Sequence, residues 1–71
     1  MTRKSVISSD LRSVGYDQQA LVLELEFHKG GEVYRYFEVP VAVHAALMAA
    51  PSKGEYFNAH IKSRFRYERA G

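Results

Sequence analysis

From Leu11 to Tyr16 the chain alternates, with Val14 and Tyr16 in step with Arg12 and with Ser13, Gly15 and Asp17 between. A period of two predicts a half-exposed strand. Asp17-Gln18-Gln19-Ala20 is a polar break. Leu21 to Phe27 then alternates cleanly, placing Leu21, Leu23, Leu25 and Phe27 on one face and Glu24 and Glu26 on the other. His28-Lys29-Gly30-Gly31-Glu32 reads as a turn, and Val33 to Val39, rich in Tyr, Val and Phe, as the returning strand. A two-residue turn at Gly30-Gly31 suits glycine's tolerance of positive φ. It would set Phe27 opposite Tyr34, Glu26 opposite Arg35 and Leu25 opposite Tyr36, gathering the rings on the leucine face and pairing Glu26 with Arg35 by charge. A loop one residue longer would set both tyrosines opposite glutamates and split the apolar set.

At Pro40 the period changes. Proline has no N–H for a ladder but is tolerated in a helix's first turn. Val41 to Ala50 is alanine-rich, with Val43, Leu47 and Ala50 on one stripe and Val41, Ala45 and Met48 beside it, and predicts a helix. Pro51 breaks it. Ser52 then stands as an N-cap, with Glu55 completing a Ser-x-x-Glu box. Tyr56, Phe57, His60, Ile61 and Phe65 follow at helical spacing, so the second helix runs from about Lys53 to about Lys62, with His60 on its inner side. Ser63 to Gly71 is a basic, aromatic-containing tail. The order predicts an α+β fold: a three-stranded antiparallel meander followed by two helices packed on the face that carries Leu23, Leu25, Phe27, Tyr34 and Tyr36.

Composition narrows the class. Seventy-one residues form one domain with room for one core, and 46% hydrophobic residues place the chain well away from disorder. There is no cysteine, hence no disulfide framework and no thiolate zinc site. The basic start leads only into Val6-Ile7, with neither the apolar stretch of a secretory signal nor that of a membrane span, so a soluble, cytoplasmic protein is expected. Net charge is a mild +2, but it is unevenly spread. Residues 53–71 carry five Lys/Arg against two Asp/Glu, and residues 1–52 carry five against six. A basic C-terminal segment suits an acidic partner such as nucleic acid, and is also what a solvated helix and tail look like.

Candidate chemistry is sparse. His28, His44 and His60 fall in a turn and in two different helices, without His-x-x-x-His spacing. Glu24 and Glu26 resemble a carboxylate pair, but they share a solvated strand face with Arg35. Ser8-Ser9 has no base that can be placed beside it and reads as a turn or strand-edge hydroxyl pair. No catalytic role, cofactor or metal is expected. Binding remains. Tyr34-x-Tyr36 on a sheet resembles the platforms on which RNA bases stack, yet the register sends both rings to the leucine face, as core residues with their hydroxyls outermost. Lys53, Lys62, Arg64, Arg66 and Arg69 are the candidates for phosphate contact, with Asn58 one helical turn before Lys62. Phe65 and Tyr67, interleaved with the arginines, fit either a flexible nucleic-acid contact or an edge strand packing its aromatics inward.

The chain resembles the KTSC domain family, a small domain found free-standing in bacteria and at the C-terminus of some lysyl-tRNA synthetases. The resemblance runs from about residue 6 to about residue 67. It rests on Ser8-Ser9, Val14-Gly15-Tyr16-Asp17, Leu25-Glu26-Phe27, Gly31, Tyr34-Arg35-Tyr36, Val39-Pro40, Ser52-Lys53-Gly54-x-Tyr56-Phe57-Asn58 and Ile61-Lys62. The proline in Ala50-Pro51-Ser52 departs from the family's pattern and bears on the inter-helix turn. The synthetase connection implies RNA as a ligand, tRNA or single-stranded, in the direction that the basic C-terminal third already points. The alternative is a protein-interaction or homodimerisation module using the outer sheet face, where Val22, Val33, Phe37 and Val39 would collect.

Overall fold

A computed structural model describes all 71 residues. It has one antiparallel sheet of five strands in sequential order: β1 (Arg3–Ser5), β2 (Leu11–Asp17), β3 (Val22–Phe27), β4 (Val33–Tyr36) and β5 (Tyr67–Arg69). Two helices, α1 (Val41–Ala49) and α2 (Lys53–His60), lie between β4 and β5. The α+β class, the meander and both helices agree with the sequence reading; the strand count of three is corrected to five. Both added strands are three residues long, too short for alternation to register. The tail is not free: Tyr34, Arg35 and Tyr36 of β4 pair with Arg69, Glu68 and Tyr67.

One face of the sheet meets the helices. The core is Leu11, Val14, Leu23, Leu25, Tyr36 and Val39 with Leu47, Phe57 and Ile61 from the helical segment. Ser52 caps α2 as its sequence suggests, its hydroxyl accepting from the Glu55 N–H at 3.3 Å. At the other end of the sheet the Tyr16 hydroxyl donates to the Val39 carbonyl at 2.5 Å, tying β2 to the start of α1. Burial, with Asp17 adding to it, raises the Tyr16 pKa, so this donor stays protonated. Tyr16→Phe deletes the donor and leaves that carbonyl unpaired. We expect a loss of about 1 kcal/mol in urea unfolding.

The β3–β4 register differs from the expected one by two residues. Glu24 faces Arg35, Leu25 faces Tyr34, and Leu23 faces Tyr36. The connection is a four-residue loop, closed by Phe27 N–H donating to the Glu32 carbonyl at 2.8 Å, with Gly30 and Gly31 both at positive φ (69° and 62°). His28 is drawn away from the hairpin. Its N–H donates to the Asp10 carbonyl at 3.0 Å, and its ring bonds the Ser8 carbonyl at 3.0 Å. A shift of two keeps every side chain on its expected face but moves the charge pair from Glu26 to Glu24.

The outer face is ionic. Glu24, with 5% of its side chain exposed, bonds both Arg3 and Arg35. Ser13 accepts from Arg3 Nε and donates to Glu26 Oε1 at 2.8 Å. Arg3 reaches from β1 across β2 because position 15 is glycine: a Cβ there would stand 2.9 Å from Arg3 Cγ. The apolar outer cluster is smaller than expected. Val39 is in the core, since Glu38 turns the chain at positive φ (57°) after β4 ends at Tyr36. Phe37 lies under the Arg66 guanidinium at 4.7 Å.

Candidate functional site

On the helix side, where the sheet's end meets α2, a cleft of about 720 Å³ opens to solvent. Its walls come from five separate segments. Ser9 and Asp10 precede β2; Phe27, Lys29 and Glu32 flank the β3–β4 turn; Tyr34 and Tyr36 stand on β4. Phe57, Asn58, Lys62 and Ser63 belong to α2 and the turn after it, and Tyr67 to β5. The floor is aromatic. Phe57 packs edge-to-face on Phe27 and on Tyr36, and Tyr67 lies 5.4 Å from Tyr36 and 5.8 Å from Tyr34.

The polar groups in this cleft differ in how they are held. Tyr36 is 4% exposed, lines the cleft, and its hydroxyl makes no hydrogen bond within the protein. Burial, with the neighbouring Tyr67 and Tyr34 phenols, pushes its pKa up to about 12, so it stands ready as a neutral donor. Asp10 is fixed by its backbone: its N–H donates to the Ser8 hydroxyl at 3.2 Å and its carbonyl accepts from His28. Its carboxylate lies over α2 at Gly54, where a Cβ would fall 1.9 Å from Oδ2. Lys62 follows α2 with its N–H on the Phe57 carbonyl, which turns the chain toward β5.

Of the residues singled out in sequence, Tyr34, Tyr36, Asn58 and Lys62 meet in this cleft. Arg64 is in the exposed turn just beyond Lys62. The other cations are dispersed. Lys53 donates to the Ala50 carbonyl at the end of α1. Arg66 is on the outer face over Phe37, and Arg69 is in the edge strand opposite Tyr34 with Nε on the Gly71 carbonyl. The single basic patch expected from the C-terminal third is therefore split, because its residues belong to different elements: Lys53 to the first turn of α2, Arg64 to the turn after it, Arg66 to the approach to β5 and Arg69 to β5 itself. His60 is exposed against the Tyr56 ring rather than inward, and His44 stacks on Tyr16. No three His, Cys, Asp or Glu side chains gather as a metal-binding group.

Sequence reading missed Asp10 as a cleft residue. Asp10 carried one signal: Gly54 inside the first turn of a helix marks a close approach by something, here the Asp10 side chain. Tyr67 was readable either as part of a flexible nucleic-acid contact or as an aromatic of an edge strand, and it stands in the edge strand β5 against Tyr36.

The KTSC domain model matches residues 7–65. The chain belongs to the KTSC domain family. A KTSC domain protein of Yersinia pestis, solved by crystallography, superposes with a TM-score of 0.94 at 38% identity, covering 99% of this chain and 97% of that one. An uncharacterised protein of Stutzerimonas stutzeri is 46% identical over 70 residues, 97% of both chains. The lysine–tRNA ligase of Nostoc punctiforme is 43% identical over 60 residues, which is 84% of this chain but 10% of the ligase. The KTSC domain thus occurs at full length in one set of relatives and spans about a tenth of the other. None of its helices is long and apolar enough to cross a membrane.

Proposed function

We propose that this KTSC domain is a non-catalytic binding module for unpaired RNA, with the cleft and the cationic turn beside it as the contact surface. The observation that carries this reading is the joint placement of Tyr34, Tyr36, Tyr67, Asn58 and Lys62 around one opening. Aromatic side chains offer a face or edge to an unstacked base, and a lysine at the rim meets the adjoining phosphate. Arg64 continues the cationic side beyond Lys62. A related segment within lysine–tRNA ligases supports RNA over other polyanions.

The test is a titration of labelled tRNA and of a generic single-stranded RNA at two salt concentrations, with Lys62→Ala/Arg64→Ala and Arg66→Ala as variants. We expect dissociation constants roughly in the micromolar range that weaken with salt. The double variant should bind on the order of tenfold more weakly with a shallower salt slope, while Arg66→Ala behaves as the parent. Absence of binding at low salt overturns the reading. Equal losses in both variants would move the contact to the outer face.

A further inference from the structure

Resting on that reading, we infer that the cleft is a base-selective pocket that takes a single unpaired guanine, with the Asp10 carboxylate and the Tyr36 hydroxyl reading its edge and Lys62 on the adjoining phosphate.

The cleft is not uniformly cationic: Asp10 and Glu32 stand on the loop side, and Lys62 on the α2 side. A site that bound only phosphates would have no use for a carboxylate in its wall. Asp10 is also the best-positioned polar group there, pinned through both its N–H and its carbonyl while its side chain rests on Gly54. Its carboxylate receives no hydrogen bond from the protein and can only accept. Its partner in a ligand must therefore present a donor, and a second donor beside the first, rather than an acceptor, avoids repulsion with the carboxylate.

Among the bases only guanine does so. Its N1–H and N2 amine are neighbours on one edge. Adenine and cytosine set a ring acceptor beside their amine, and uracil flanks its single N–H with two carbonyls, so each turns a repulsive atom toward a carboxylate. The Tyr36 hydroxyl is the second observation. It is a polar group on a side chain more than nine-tenths buried that lines the same space without a protein partner, and its proton is one that guanine O6 or N7 would accept. A volume of about 720 Å³ is within the roughly 300–1,000 Å³ range of pockets that enclose a ligand of nucleotide size.

Short uridine oligomers carrying one central guanosine, adenosine, cytidine or uridine are titrated against the parent, Asp10→Asn and Tyr36→Phe, alongside guanosine and uridine monophosphates followed by tyrosine fluorescence. We expect the guanosine oligomer to bind on the order of tenfold tighter than the uridine one. Asp10→Asn should remove most of that preference, read as the ratio of guanosine to uridine affinity, with an unchanged circular dichroism spectrum. Tyr36→Phe should weaken guanosine binding several-fold at unchanged melting temperature, since its hydroxyl bonds nothing in the protein. Equal affinity for all four oligomers, or a preference that survives Asp10→Asn, overturns the guanine assignment and leaves the RNA module standing. Selective binding of guanosine monophosphate without oligomer binding would do the reverse. No binding of any probe overturns both.

Discussion

Gly54→Ala is expected to lower the melting temperature by roughly 5–15 °C, although alanine is the better helix former. Inside a helix the exchange ordinarily adds about 0.8–1 kcal/mol of stability. Here the new methyl would fall 1.9 Å from Asp10 Oδ2, 2.9 Å from Cγ and 3.2 Å from Cβ. Rotating the carboxylate away still leaves Asp10 Cβ at 3.2 Å, on a backbone held through both its N–H and its carbonyl. Overpacking of this kind costs about 1–3 kcal/mol, and with little freedom to yield the upper part of that range applies, exceeding the propensity gain. The loop before β2 would lift away and widen the cleft. A double-mutant cycle isolates the cause: Asp10→Gly in the Gly54→Ala background should recover the loss. A Gly54→Ala protein more stable than the parent would show that Asp10 does not rest on α2.

The second large effect belongs to Glu24. Burial alone would raise its pKa, but the hydrogen bonds and charges of Arg35 and Arg3 outweigh burial and hold it below the usual carboxylate value. A carboxylate with a lowered folded pKa contributes stability that is complete above its unfolded value of about 4.3 and is lost as pH falls through the folded one. The parent should therefore weaken in acid. Removing both arginines (Arg3→Ala/Arg35→Ala) leaves burial unopposed around a side chain 5% exposed. That should cost about 2–3 kcal/mol at neutral pH. The figure is below the ~3–5 kcal/mol of a fully enclosed pair because the arginines are 31% and 46% exposed. The sign of the pH dependence should also invert around Glu24, since its folded pKa would then exceed the unfolded one and stability would rise as it protonates. Chemical unfolding across pH 4–7 separates the two; a parent-like slope in the double variant would mean that Glu24 is not held by these arginines.

The fold was legible wherever a pattern repeats within one segment. Leu21 to Phe27 and Val33 to Tyr36 alternate strongly enough to assign faces, and from Leu23 onward that assignment survived a wrong turn length because the error was an even number of residues; Leu21, expected on the core face, lies before β3 at positive φ (58°) and is exposed. The turn itself was not legible. Its length is set by His28 reaching to Ser8 and Asp10, a contact twenty residues away in the chain for Ser8. The edge strand β1 escaped for a similar reason, and β5 was readable only as one of two alternatives for the tail, since three residues gain their strand character only by pairing with β2 or β4. Val39 looked like an outer-face residue because its parity was counted through Glu38, where the backbone leaves the strand.

The candidate site divides along the same line. Asn58 and Lys62, one helical turn apart, were readable as a polar pair, and Tyr34 and Tyr36 as rings on the inner face with outward hydroxyls. Their convergence with Asp10 and Tyr67 depends on the pairing of β5 and on the approach of the β2 loop to Gly54, neither of which leaves a periodic trace. The scatter of Lys53, Arg66 and Arg69 makes the reverse point: nearness in sequence implied a patch, but a helix start, the approach to an edge strand and the edge strand itself carry the three apart.

Whether RNA meets this domain at the cleft is decided by backbone amide chemical-shift mapping during titration with a short single-stranded RNA. Shifts are expected to concentrate at Asp10, Tyr34, Tyr36, Asn58, Lys62 and Tyr67, with the outer-face positions Ser13, Glu24 and Phe37 unmoved. Shifts gathered on that outer face instead, or none at any RNA concentration, would contradict the cleft as the RNA site.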